Sequence, residues 1–387
     1  MAADKRLIMA AANYWGGAIT TGTQHYARQF LRTGWKVAYL SDQISPLHLA
    51  RLRSRAFTLD KFRIWWRGGV REGDRFWGYN HLTLLPVFNA PILRSRFAVR
   101  HSLDLSVPNL FGKLRAEGFD EADVLWFDHL IFTGLLDRIR AGATVYRMAD
   151  DARLFPEAYP PALLANTNRM LREVDLVVVT AQRLYDAVVR ERSEGVLYVP
   201  NGVDYDHFAG GDWEPPEDYA SIPEPRVVYA GSLEPWFDTD LLYDVARSRP
   251  GVSFVIIGPV RIDLSKLRRL ENVFVLGRRS YDVLPGYFAH ADVGIIPFRH
   301  SAMIDAVNPI KLYEYLAAGL PVVATAWEEL RRLGSPALLA EGAGEFGEAL
   351  DQALRDPGDP EEKRAFARER SWAQRFATIA ATLGIDR

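Results

Sequence analysis

The chain of 387 residues contains no cysteine. That excludes disulfides, a thiolate nucleophile and cysteine-ligated zinc, and it suits a reducing compartment. Nor is there any run of 18 apolar residues, so no transmembrane helix is expected. The opening MAADKRLIMAAANYWGG holds only a short apolar run and reads as a first strand, not as a secretory signal. Neither sign of charge dominates. The net charge of -2 gives no global attraction to nucleic acid or acidic lipid, so any electrostatic partner surface must be local. The eight histidines show no metal-binding spacing. No G-x-G-x-x-G follows a strand, which argues against a dinucleotide oxidoreductase. Repeats and low-complexity segments are also missing. A cytoplasmic protein, or one peripheral at the inner face of the plasma membrane, is the expectation.

What is present is alternation. Apolar runs at 6–12, 35–41, 123–128, 143–150, 174–180 and 194–204 read as strands separated by helical segments. A second series follows at 226–232, 253–259, 272–277, 292–298 and 320–325. Strand–helix alternation predicts parallel sheets covered by helices, and two series predict an α/β protein of two Rossmann-like, doubly wound domains facing across a cleft. The Pro-, Gly- and acid-rich stretch GGDWEPPEDYASIPEPR marks the boundary. The expected division is 1–205, 206–365 and a terminal amphipathic helix over 366–387, with Trp372, Phe376, Ile379 and Leu383 on its apolar face. Ligands of such sheets sit beyond the carboxyl ends of the strands. The residues to examine are therefore 13–17, Asp128 and His129, Asp150 and Asp151, Gly231 and Ser232, Gly258 and Pro259, Arg278 and Arg279, and Phe298 onward.

The segment NPIKLYEYLAAGLPVVAT (308–325) carries the sharpest local signal. Asn308 reads as an N-cap, Pro309 as the first helical residue, and Gly319 as a left-handed C-cap. Leu312, Tyr315, Leu316 and Leu320 should face a core. Lys311 and Glu314 are neighbours on one helix face. A lysine in a first turn opposes the helix dipole, yet together with the helix N-terminus it makes an anion site. The alternative is an ordinary surface Lys–Glu pair.

Residues 51–100 hold 11 Lys and Arg against three acids, with Trp65, Trp66 and Trp77 interleaved. Basic and aromatic residues together suit an anionic membrane surface. The alternative puts the aromatics in a core and the arginines in solvent. No nucleic-acid motif accompanies the stretch.

GGAITTGTQHYARQFLRTGWKVAYLS (16–41), VPNGVD (199–204), VVYAGSLEPWFDTDLLYDVA and ADVGIIPF…NPIKLYEYLAAGLPVVAT (291–325) together resemble nucleotide-sugar glycosyltransferases of the GT-B fold. YRMAD (146–150) and NPIK narrow the resemblance to bacterial polysaccharide enzymes, the teichuronic-acid glycosyltransferase and xanthan-type glucuronosyltransferase group. The resemblance implies an N-terminal acceptor-binding domain, a C-terminal domain binding the nucleotide sugar, and a last helix crossing back. It implies that Lys311 and the helix at Asn308 meet the donor diphosphate, that Glu314 binds the ribose, and that Gly16, Gly17, Gly231 and Ser232 approach the donor through backbone. Arg278 lies in the loop the family places near the base. Asp150 is implied as catalytic base, with His129 its rival and Asp151 a competitor. The donor is expected to be a UDP-sugar, and the acceptor a lipid-linked or polysaccharide hydroxyl. No cofactor and no metal are implied, since D-T-D at 238–240 reads as a helix cap. The large retaining family has an acid eight residues before its ribose-binding Glu, where this chain has Ala306 beside Asp305. Arg299 is a further candidate for an anionic group. A sugar-nucleotide 2-epimerase of the same fold, or a non-catalytic partner subunit, are the alternatives.

Overall fold

The computed structural model describes residues 4–17, 20–50, 55–154 and 159–385. The chain forms two compact units, one of residues 1–199 with 379–387 and the other of residues 200–378.

The first unit is built on a nine-stranded sheet. Its strands are β1 (Arg6–Ala10), β2 (Lys36–Ile44), β3 (Val70–Glu72), β4 (Phe76–Thr83), β5 (Ser106–Val107), β6 (Glu121–Phe127), β7 (Arg140–Met148), β8 (Leu176–Val179) and β9 (Val196–Tyr198). They run in the order β3-β4-β2-β1-β6-β7-β8-β9, with β5 against β4. Only β3 and β5 pair antiparallel. The sequence patterns did not reveal β3, β4 or β5. β4, FWGYNHLT, is buried along its whole length and pairs parallel with β2. Its glycine, asparagine and histidine broke the apolar run by which buried parallel strands are recognised.

The second unit holds β10 (Arg226–Ala230), β11 (Ser253–Ile257), β12 (Val273–Gly277), β13 (Val293–Ile296), β14 (Val322–Thr325) and β15 (Leu338–Ala340). All pair in parallel, in the order β12-β11-β10-β13-β14-β15. This is the doubly wound order, with its reversal point between β10 and β13. Near-continuous apolar residues such as Val227, Val228 and Tyr229 fit strands covered on both faces. The helix Ile310–Ala317 packs into this core through Leu312, Tyr315 and Leu316, all fully buried. Gly294 makes the close approach of Tyr315 feasible, because a Cβ there would lie 2.6 Å from the ring. The same helix ends as expected. Gly319 has φ +82°, its N–H donates to the Leu316 carbonyl, and the Leu320 N–H donates to Tyr315, a Schellman closure.

The start of that helix differs from the expectation. Pro309, not Asn308, stands at the N-cap position, and no side chain caps the helix. The Asn308 side chain is buried and fully used elsewhere. Its Oδ1 accepts from the Asn201 N–H and the Tyr313 hydroxyl, each at 3.0 Å, and its Nδ2 donates to Glu329. The Asn201 side chain in turn donates to the Asn308 carbonyl at 2.7 Å.

The terminal helix Trp372–Leu383 buries Trp372, Phe376 and Ile379. The division between the units falls within it, after Thr378.

Candidate active site

In the second unit, the loops after β10, β11 and β13 and the helix Ile310–Ala317 bring Gly231, Ser232, Gly258, Phe298, Lys311 and Glu314 together. Gly231 follows β10 with φ +153°. Its carbonyl lies where a Cβ on Gly258 would come within 1.9 Å, so the two loops touch through bare backbone. A Cβ on Gly231 would stand 3.0 Å from Lys311 Cε and 3.1 Å from Lys311 Nζ. The lysine therefore reaches from the first helical turn to the β10 turn. The Gly231 and Leu233 N–H groups donate to the Ile257 and Pro259 carbonyls. The Ser232 N–H has no such bond among the described residues, which makes Ser232 the amide donor this turn can offer.

The Lys311 ammonium lies 4.6 Å from the Phe298 ring centroid and 5.1 Å from that of Tyr229. Among the described residues its side chain makes no ion pair. Burial pushes the amine down to about 8, with the Glu314 charge opposing. Glu314 is buried and its carboxyl is pushed up to about 7 by burial, with Lys311 opposing. The pair is thus not the solvated Lys–Glu bridge of an ordinary helix surface. Two desolvated charges stand near each other without closing a bridge, an arrangement that a bound anion and a bound hydroxyl would complete.

Three neighbours have other work. Asp238 caps the helix Thr239–Arg247, accepting from the Asp240 and Leu241 N–H groups, as expected of the D-T-D segment. Arg299 pairs with Asp238 and Asp240, not with an open anion site. Arg279 is held by Asp218 and the Tyr287 hydroxyl, whereas Arg278 is exposed after β12 with no side-chain partner among the described residues. Phe298, one of the strand-end positions picked out by the sequence, and Tyr229, which sequence reasoning missed, flank the ammonium. As an apolar strand residue Tyr229 carried no signal beyond core packing. Glu329, the buried partner of Asn308, was missed because it stands 21 residues further along the chain.

In the first unit, Gly16 has φ +77° with open space around it, and Gly17 closes a turn by donating to the Tyr14 carbonyl at 3.2 Å. Asp150 follows β7. It keeps open surface, yet surrounding protein raises its carboxyl, with Arg147 opposing. Its side chain makes no hydrogen bond among the described residues. Asp151 beside it is buried and bound by Arg153 through the backbone N–H and Nε, both at 2.9 Å. Of the two acids, Asp150 is the one left open. His129 follows β6, and its Nδ1 accepts from the Ile131 N–H at 3.4 Å. Burial lowers its pKa, so the ring is neutral and carries its proton on Nε2. In that tautomer it is a donor at its open nitrogen, which makes it the weaker candidate for a base.

The comparisons with known proteins follow the same division. Residues 9–180 match the family model for the N-terminal domain of the glucuronosyltransferase GumK, and residues 224–356 match glycosyl transferases group 1. A Bacillus subtilis (strain 168) protein named for teichuronic acid biosynthesis, the glycosyltransferase TuaH, is 28% identical over 234 residues, 57% of this chain. The match spans 59% of that relative's length. Among solved structures, Anabaena HepE in complex with UDP and glucose aligns with TM-score 0.65 at 16% identity, covering 98% of this chain and 99% of that one. Sucrose-phosphate synthase of Thermosynechococcus elongatus aligns with TM-score 0.64 at 15% identity, covering 98% and 96%. Fold and sheet order define a GT-B protein. Within that class, residues 9–180 resemble a glucuronosyltransferase domain and residues 224–356 resemble glycosyl transferases group 1.

Proposed function

We propose that the protein transfers a sugar from a nucleoside diphosphate, UDP in the first instance, to a hydroxyl of a lipid-linked or polysaccharide acceptor in bacterial surface-glycan synthesis. The observation that carries this reading is the Lys311 ammonium, desolvated beside Gly231 at the start of a helix and, among the described residues, in no ion pair with a carboxylate. The donor diphosphate lies against Lys311, the Ser232 N–H and the helix N-terminus, and the ribose hydroxyls donate to Glu314. Asn308 fixes the entry to that helix. Gly16 and Gly17 keep side chains away from the donor, and Arg278 borders the base.

Asp150 takes the proton of the acceptor hydroxyl while that oxygen bonds to the anomeric carbon. The bond from that carbon to the diphosphate breaks, and UDP leaves with the electron pair, its charge balanced by Lys311 instead of a metal. A single displacement of this kind inverts the anomeric centre. Solved GT-B structures of this fold include complexes described with UDP-glucose in Anabaena HepE and UDP-2-fluoro glucose in E. coli, which supports UDP as the nucleotide.

We further propose that residues 51–100 dock the protein on an anionic membrane. Trp66 is 81% exposed and Ile92 and Phe97 are exposed too, among the exposed Arg63, Arg94, Arg96 and Arg100. Trp77 and Phe76 belong instead to the core, as the alternative held. Arg51 and Arg53 lie outside the described residues. No helix among the described residues is long and apolar enough to cross a membrane.

Calorimetric titration of UDP, GDP and ADP in EDTA and then with magnesium, on wild type and Lys311→Ala, tests the reading. UDP should bind in EDTA, and Lys311→Ala should weaken it at least tenfold, about 1.4 kcal/mol. Binding that needs magnesium, or that survives loss of Lys311, would overturn the assignment.

A further inference from the structure

In the first unit, the turn at 92–96 and the start of the helix Pro161–Glu173 enclose an open groove of about 420 Å³, a volume of ligand size. Ile92, Pro161, Ala162 and Ala165 form its apolar part, and Arg94 and Arg96 supply its charge. Both arginines are exposed, and among the described residues neither enters an ion pair. The turn is held by its own bonds. The Arg94 N–H donates to the Ala90 carbonyl at 3.0 Å, the Ser95 N–H donates to the Ile92 carbonyl at 3.1 Å, and Ser95 Oγ accepts from the Ala98 N–H at 3.2 Å.

Ile92 stands apart in its backbone. Its φ is +68°, and among the described residues no other residue except glycine has a positive φ. A β-branched side chain is strained there, whereas glycine or asparagine is at ease. The side chain is also 78% exposed, so packing within the chain does not offset the strain. Folding alone gives no reason for an isoleucine at this position; a partner that covers it does. Phe97, five residues on, is exposed as well and extends the apolar surface beyond the turn.

The groove also stands near the proposed base. Asn168 follows Ala165 by three residues on one face of the helix, about 4.5 Å along its axis. Its Oδ1 accepts from Arg153 Nη1 at 3.5 Å, and Arg153 Nε donates to Asp151, beside Asp150, at 2.9 Å.

A bilayer surface accounts for protruding apolar groups and arginines, but not for a recess between them. A second copy of this chain seated here about a two-fold axis would set arginine against arginine. A molecule with an anionic head and one hydrocarbon chain satisfies both parts of the groove, since guanidinium groups hold phosphate oxygens in pairs and the apolar residues cover the chain. Resting on the reading of this unit as the acceptor domain with Asp150 as its base, we propose that the groove seats the lipid phosphate of the acceptor. The phosphate lies between Arg94 and Arg96, and the first part of the chain lies along Ile92, Pro161 and Ala165. The sugar end then extends along the helix towards Asp150.

Calorimetry on the full chain tests this with farnesyl phosphate below its micelle concentration. Inorganic phosphate and octyl glucoside stand for its two halves. Wild type is compared with Ile92→Asn, Ala165→Trp and the double variant Arg94→Gln, Arg96→Gln. Farnesyl phosphate should bind wild type at least tenfold more tightly than either half. Each variant should weaken it on the order of tenfold while UDP affinity stays within about twofold. Ile92→Asn should do so with an equal or higher Tm, because the strain is removed; a residue of merely structural value would lose stability instead. Ala165→Trp should keep its partitioning onto phosphatidylserine vesicles, which separates a seat for one lipid from a face for the bilayer. No binding of farnesyl phosphate, inorganic phosphate bound equally well, variants that bind like wild type, or a parallel loss of vesicle binding in Ala165→Trp would overturn the inference alone. Wild type that binds farnesyl phosphate but not UDP would overturn the proposed function, and with it the groove's part in transfer.

Discussion

Lys311 and Gly231, eighty residues apart, are in contact: a methyl group on the glycine would meet the lysine's last carbon at 3.0 Å and its nitrogen at 3.1 Å. The contact sets where the ammonium rests. Gly231→Ala should therefore displace it by several tenths of an ångström and strain a backbone held at φ +153°. The expected outcome is UDP affinity lowered about tenfold, roughly 1.4 kcal/mol, with the fold retained, read by calorimetry and by circular dichroism. Affinity equal to wild type would show that the ammonium does not need that resting place.

Glu314 gives a pH signature. Its carboxyl is pushed up from 4.5 to about 7 in the folded protein, with burial as the first cause. Between those values the unfolded chain releases its proton while the folded chain keeps it. Stability that is full below pH 4.5 is therefore lost as the pH rises to 7. Glu314→Gln should flatten that decline, so that the Tm difference between variant and wild type grows across this window. Thermal unfolding at stepped pH measures it, and parallel curves would contradict the assignment.

For Asp150→Asn, transfer should fall about 10²- to 10⁴-fold while UDP affinity stays within twofold of wild type, since the change removes a base and no donor contact. In wild type, kcat/KM should fall on the acid side with an apparent pKa above the ordinary aspartate value, because the surroundings of Asp150 raise it. A rate that persists in Asp150→Asn would return attention to His129.

If residues 51–100 dock on a membrane as proposed, Arg94→Ala, Arg96→Ala and Arg100→Ala combined should lower partitioning onto phosphatidylserine vesicles by about 3 kcal/mol at low salt, at ~1 kcal/mol per arginine. Trp66→Ser should weaken it further. Sedimentation with vesicles of neutral lipid is the control, and equal binding to both would argue against an electrostatic docking face.

Local features of the chain were legible where their causes were local. The helix closes through bonds from Gly319 to Leu316 and from Leu320 to Tyr315, so the role of Gly319 could be read from A-G-L-P. The Asp238 cap was legible for the same reason. Asn308 was misread because its partners come from elsewhere: Asn201 is 107 residues away and Glu329 is 21 away. An asparagine before a proline and a helix looks like a cap until those claims on its oxygen are known. The segment around β4 was misread in a different way. Its aromatics divide between the core, as Trp77, and solvent, as Trp66. A strand that carries Asn80 and His81 towards a polar edge does not show the apolar run of its neighbours.

The touching backbones of Gly231 and Gly258 have a consequence for how such a protein can change. With no room for a side chain at Gly258, the place where the two loops touch is made of peptide groups. Substitution cannot alter the chemistry of a peptide group. Divergence in ligand preference must therefore act elsewhere, at positions such as Arg278 and Phe298, while that place stays the same surface from one descendant to the next.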